Sequence, residues 1–244
     1  MIYNKNKPIS LYCRWLGIYM LCVILGAMGL GSIGSLLKIL GFVPVVIWIF
    51  EKHAFYKNKV IYFAILFVLW SSASLFWSIN LSASVSRAVT QVSFLVMLLS
   101  AAGYSYSGEE ITYLKNCLVW STRLTAVVVL LTGTHSAGRL LLSGTINENP
   151  NYLCAYFLAA VVNGGIIILQ KRSSLILKIL SVVEIAVYIY ITFATGSRGG
   201  LLSVVIAGII VILLYKDNGG SQGLSILKKV GITILVMIVF GIVL

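Results

Sequence analysis

The sequence predicts an all-α, polytopic transmembrane helical bundle, and three observations predict it. Of 244 residues, 60% are apolar and only 10% are charged, against roughly 25% charged in a soluble domain; the mean hydropathy is +1.04. The apolar residues gather into runs near the ~20 residues a helix needs to cross the hydrocarbon core. Basic residues fall in the short segments between those runs, as loop charges of membrane proteins do. In lipid each span must satisfy its own backbone, which leaves helices as the building element. The net charge of +12 therefore reflects topology, not a nucleic-acid surface.

The whole chain, 1–244, reads as a single integral membrane domain of about nine spans: 16–33, 36–50, 60–77, 88–102, 118–134, 152–169, 175–194, 201–214 and 230–244. The first span follows Lys5, Lys7 and Arg14. More apolar runs follow it at once, with no small-x-small cleavage site, so it reads as retained and not as a signal peptide. Lys38 and Pro44 interrupt the second span, the weakest of the nine. The segment from Gly103 to Asn116, with Glu109, Glu110 and Lys115, reads as an inner loop. Residues 217–223, Asp-Asn-Gly-Gly-Ser-Gln-Gly, read as a second one. Cys13, Cys22, Cys117 and Cys154 lie in or beside apolar runs without a CxxC pattern, and read as buried small hydrophobes. No metal or cofactor motif stands out.

Orientation follows from the basic residues. With the N-terminus inside, all of the 18 except Lys38, Arg87, Arg139 and Arg198 fall on the inner side, Arg123 counted among them. That bias sets the N-terminus in the cytoplasm. Three of the four exceptions are arginines. Arginine binds phosphate or carboxylate with a planar fork and keeps its charge. Arg87, Arg139 and Arg198 each fall at the outer end of an expected span. They read either as one anion site or as three separate side chains snorkelling to lipid headgroups. Glu184, in the middle of the seventh span, is a functional candidate by its depth; a buried structural partner is the other reading, and the sequence names no mate.

Two polar breaks carry the remaining signal. In Gly138 to Tyr152, Asn149-Pro150-Asn151 precedes an apolar run. Asn149 suits an N-cap and Pro150 the first helical position. The same helix start offers free N–H groups and partial positive charge to an anion. Thr195-Gly196-Ser197-Arg198-Gly199-Gly200 is the second break. Its glycines let the backbone turn and approach a ligand, and Ser197 can cap the next helix or donate to a ligand.

Gly144-Thr145, Asn147, Asn149-Pro150-Asn151 and Thr195-Gly196-Ser197-Arg198-Gly199-Gly200, each opening a span, resemble the O-antigen ligase and O-antigen polymerase superfamily of bacterial envelopes. Leu75-Phe76-Trp77-Ser78-Ile79-Asn80 and Arg87 are similar to that family as well, so the resemblance covers about residues 60–214. It implies a GT-C-like membrane glycosyltransferase in the bacterial cytoplasmic (inner) membrane, with its active face periplasmic or extracellular. The implied substrate is a polyprenyl-diphosphate-linked glycan, used in surface polysaccharide assembly (lipopolysaccharide or capsule) beside other assembly proteins. The implied catalytic residues are Arg198 and Arg139; Arg87, Asn149, Asn151 and Ser197 are the implied substrate-binding residues. No cofactor is implied. His135 and Glu148 are the outer-face base candidates. Family members carry a large outer loop late in the chain. This sequence stops at Leu244, where that loop would begin, which raises the expectation of a shortened relative or a piece of a longer chain. Two other readings stay open: a transporter of an anionic or lipid-linked solute, and an inactive fragment that binds a partner subunit. Polymerase and ligase are not distinguished, nor is the sugar repeat.

Overall fold

The structure, a computed structural model, describes residues 8–27, 40–51, 59–136, 138–141 and 150–215. The described chain is helical apart from one short hairpin. In order come α1 (Leu11–Ala27), α2 (Phe42–Phe50), α3 (Lys59–Ala73, extended by a 3-10 turn to Trp77), α4 (Leu81–Gly103) and α5 (Gly108–Thr132). The hairpin β1 (Thr134–Ser136) and β2 (Arg139–Leu141) follows, then α6 (Pro150–Leu169), α7 (Leu175–Ala194) and α8 (Arg198–Leu214).

Three helices are long and apolar enough to cross a membrane: Lys59–Trp77, Gly108–Thr132 and Leu175–Ala194. Apolar stretches of the other helices among the described residues are shorter. The surface of α3 explains its composition. Phe63, Phe67 and Trp70 are all more than half exposed, an arrangement that water penalises by roughly 25 cal/mol per Å² of apolar surface and lipid does not.

Several expected boundaries move. The third span, expected at 60–77, matches α3 with its 3-10 turn; 175–194 coincides with α7, and 152–169 falls within two residues of α6. By contrast, α2 holds nine residues, about 14 Å of helix, so on its own it is far short of a crossing. Its buried Pro44 sits in the first turn, where a missing N–H breaks no helical bond. α4 begins at Leu81, so Arg87 lies inside a helix and not before one. α5 begins ten residues before its expected start, and Glu109, Glu110 and Lys115 belong to it rather than to a loop. α8 takes in Arg198 as its first residue. The hairpin β1–β2 is an addition to the expected all-α fold; it pairs Ser136 with Arg139, His135 with Leu140 and Thr134 with Leu141. The ninth span, expected at 230–244, lies outside the described residues.

The chain divides into two compact units, one of residues 1–26 and 31–117, the other of 27–30 and 118–244. In the first, Tyr12, Cys13, Leu16, Tyr19, Tyr104 and Leu114 form the core. Its polar centre is Glu110. Ser107 caps α5 through the Glu110 N–H (3.2 Å), and the Glu110 carboxylate accepts from the Ser107 N–H (2.8 Å). That is the reciprocal capping pattern of Ser-x-x-Glu. The other carboxylate oxygen accepts from the Ser10 hydroxyl at 2.6 Å, and Ser10 caps α1 through the Cys13 N–H. One carboxylate thus closes the starts of two helices, where negative charge is favoured. The Tyr104 hydroxyl lies 2.9 Å from Ser10 Oγ and 3.1 Å from the same carboxylate oxygen. Burial pushes that hydroxyl up to about 12, so it remains a donor at any physiological pH.

Candidate functional site

The second unit holds both polar breaks that the structure describes. α6 packs along both α7 and α8, and one glycine sets how closely α6 and α8 approach at their starts. A methyl built on Gly200 would stand 2.5 Å from Cys154 Sγ and 2.7 Å from Ser197 Oγ. Gly200 is the third residue of α8 and Cys154 the fifth of α6. The two helices therefore start side by side, and the partial positive charges of their first turns lie together. Cys154 is buried, with its sulfur 3.6 Å from the Thr195 hydroxyl.

The turn into α8 is built residue by residue. Thr195 is fully buried, and its hydroxyl donates to the Thr192 carbonyl at 2.7 Å, finishing the last turn of α7. Gly196 takes φ +65°, a left-handed conformation that side-chain-bearing residues rarely adopt. Ser197 caps α8, its hydroxyl accepting from the Gly200 N–H at 2.9 Å. Arg198 follows at the first helical position, exposed. A cation at a helix start opposes the dipole. Its placement there suits a negatively charged ligand, which satisfies both the helix start and the guanidinium.

The hairpin supplies the second arginine. β2 lies against α7, and Leu140 is buried beneath the hairpin against Gly133, which follows the last turn of α5. Arg139 is exposed, and its stem lies across Gly196: a methyl on that glycine would be 3.2 Å from Arg139 Nε and 3.3 Å from Cγ. The two breaks, more than fifty residues apart in sequence, thus meet two residues from Arg198. The hairpin turns at Gly138, φ +75°.

The remaining expected site residues are placed as follows. Asn151 is the second residue of α6. Asn149 and Glu148 lie outside the described residues. His135 is exposed in β1. Arg87 belongs to α4 in the first unit.

Glu184 has a mate. Arg123 Nε and Nη2 each donate to one of its carboxylate oxygens at 2.9 Å, and the Tyr188 hydroxyl donates at 2.6 Å. Arg123 also stands over the Trp120 ring at 4.9 Å, and Tyr188 stacks on Phe157 at 4.9 Å. Arg123 is therefore a helix-interior cation, not an inner-loop charge. Both charges lie eleven residues before the polar end of their helices, Arg123 before Thr134 and Glu184 before Thr195, about 16 Å along each. Sequence reasoning missed the pair, although an arginine inside one apolar run and a glutamate inside another signal it: two such charges rarely stay apart in an apolar medium.

Compared with known proteins, the chain matches no family model, no curated protein and no solved structure.

Proposed function

We propose that this chain is a membrane glycosyltransferase of the O-antigen ligase or polymerase type. In this reading the N-terminus is cytoplasmic, about nine spans cross the bacterial inner membrane in a GT-C-like arrangement, and the second unit's polar end faces outward. The observation that carries the reading is the seat of Arg139 on Gly196. It puts a second permanent cation beside the start of α8, where Arg198 and two adjacent helix starts already favour an anion. A polyprenyl-diphosphate-linked glycan presents such an anion at the membrane surface.

The chemistry follows from that ligand. A hydroxyl of the acceptor attacks the anomeric carbon of the lipid-linked sugar. The bond from that carbon to the diphosphate oxygen breaks, and its electron pair leaves with the diphosphate. Arg198 and Arg139 meet the charge that grows there, which is worth most when donors are fixed beforehand. Ser197 and Asn151 border the same helix starts. The acceptor proton passes to a base, for which His135 and Glu148 are the outward-facing candidates.

The test is a gel of surface polysaccharide from cells lacking the gene, complemented with wild-type chain or with Arg198→Lys. We expect the deletion to lose long chains and wild type to restore them. Lysine keeps the charge but not the two-pronged fork, so we expect Arg198→Lys to restore less than a tenth of the long-chain signal. An unchanged ladder in the deletion overturns the reading.

A second reading, a transporter of an anionic or lipid-linked solute, is favoured by one observation: the Arg123–Glu184 pair inside two helices, a depth at which transporters place ionisable groups. Uptake of a lipid-linked diphosphate sugar into vesicles, lost in Glu184→Gln with the polysaccharide ladder unaffected, would favour it.

A further inference from the structure

We propose that Gly196 is the positioning residue for Arg139. The ligand side of this inference rests on the anion-site reading above; the geometry does not. Two separate demands fall on Gly196. Its φ of +65° disfavours a side chain for conformational reasons. Independently, the space a Cβ would fill is bordered by Arg139, whose Nε, Cγ and Cδ stand 3.2, 3.3 and 3.5 Å from that point. The first two separations are tighter than ordinary van der Waals contact, so a side chain here makes the arginine stem give way by a few tenths of an ångström. Arg139 is on a two-stranded hairpin at the surface, and a hairpin alone fixes a long side chain poorly. The flat glycine face is what gives the stem a floor, and the floor is part of the same turn that delivers Arg198.

The two demands separate experimentally, because asparagine tolerates left-handed φ but carries a Cβ. Gly196→Asn keeps the turn and removes the seat. The structure also supplies a control. Gly138 has the same kind of φ, +75°, on the same hairpin, with nothing within 4 Å of a built Cβ. Gly138→Asn likewise keeps its turn, and apart from its two chain neighbours nothing lies within 4 Å of the added Cβ.

The experiment uses full-length chain in detergent micelles. The Nε–H resonance of Arg139, identified by its loss in Arg139→Lys, reports the seat. Calorimetric titration with inorganic pyrophosphate reports the anion site. We expect Gly196→Asn to shift the Nε–H signal and weaken pyrophosphate binding about tenfold. Arg139→Ala should weaken it by a similar factor, and the two together by no more than Arg139→Ala alone, the non-additivity of residues that act through one contact. Gly138→Asn should leave signal and affinity unchanged. An unmoved Nε–H signal in Gly196→Asn, or an equal shift in Gly138→Asn, overturns the inference. A signal that shifts while wild type fails to bind pyrophosphate supports the positioning role and sinks the anion-site reading. If Gly196→Asn lowers thermal stability sharply, Arg139→Ala in the same chain should restore it by vacating the space; no restoration also overturns the inference.

Discussion

At the scale of single residues, the glycines of the second polar break do different work. Gly196 turns the chain, and Gly200 lets two helices touch at their starts. A methyl on Gly200 would press on Cys154 Cβ and Sγ and on the Ser197 hydroxyl that caps α8. Overpacking of this kind costs about 1–3 kcal/mol. We expect Gly200→Ala to lower the unfolding free energy of the detergent-solubilised protein by about 2 kcal/mol, with Cys154→Ala recovering part of that loss. Stability unchanged in Gly200→Ala would show that α6 and α8 do not approach there. Ser-x-x-Glu at 107–110 is a helix-start pattern with a known mechanism, but the segment reads as an inner loop. Hydropathy alone obscured it, because the first turn of α5 is Gly108-Glu109-Glu110 and reads as a loop. What the pattern could not announce was Ser10, which reaches the same carboxylate from a hundred residues away.

At the scale of elements, α5 and α7 are tied by Arg123–Glu184, with the two side chains 36% and 20% exposed. Desolvation is incomplete, so the net worth of the pair is modest; the cost of breaking it on one side is larger, since a lone charge is left behind in apolar surroundings. We expect Arg123→Met and Glu184→Leu each to destabilise the fold by about 2 kcal/mol. The double substitution should cost less than either, with a coupling of about 1–2 kcal/mol. Additive losses in reversible unfolding from bicelles would show that the two do not act together. Among the described residues, helix existence was legible from apolar run length. α6 and α7 were also legible in extent, because their apolar residues continue to the helix ends. α4 and α5 were not, because each begins with polar turns that a hydrophobic window discards. The hairpin escaped notice because three-residue strands leave no alternation to detect.

At the scale of the molecule, the part of the site that the sequence revealed was its residue types. Their grouping needed the fold. Arg139 lies against Gly196, two residues before Arg198, and Arg87 lies in α4. Spacing along the chain could not announce the contact of Arg139 with Gly196, fifty-seven residues on. The proposed orientation makes a direct prediction. In a cysteine-free background, single cysteines at Arg139 and at Lys171, one at each end of α6, should label oppositely with a membrane-impermeant maleimide added to intact cells. Labelling at 139 alone supports the outward-facing site. Labelling at 171 alone would invert the topology, and with it the face on which any diphosphate-linked sugar is handled.

The single carboxylate that closes the starts of α1 and α5 also imposes an order of assembly in time. Its two anchors, Ser10 and Glu110, are a hundred residues apart. At a synthesis rate of about 5–20 residues per second, α1 waits roughly 5–20 seconds for the glutamate that finishes its first turn. During that interval the Ser10 hydroxyl can still cap the Cys13 N–H. A chaperone or insertase that shelters the nascent first helix has its longest opportunity there, and the arrival of residue 110 ends it.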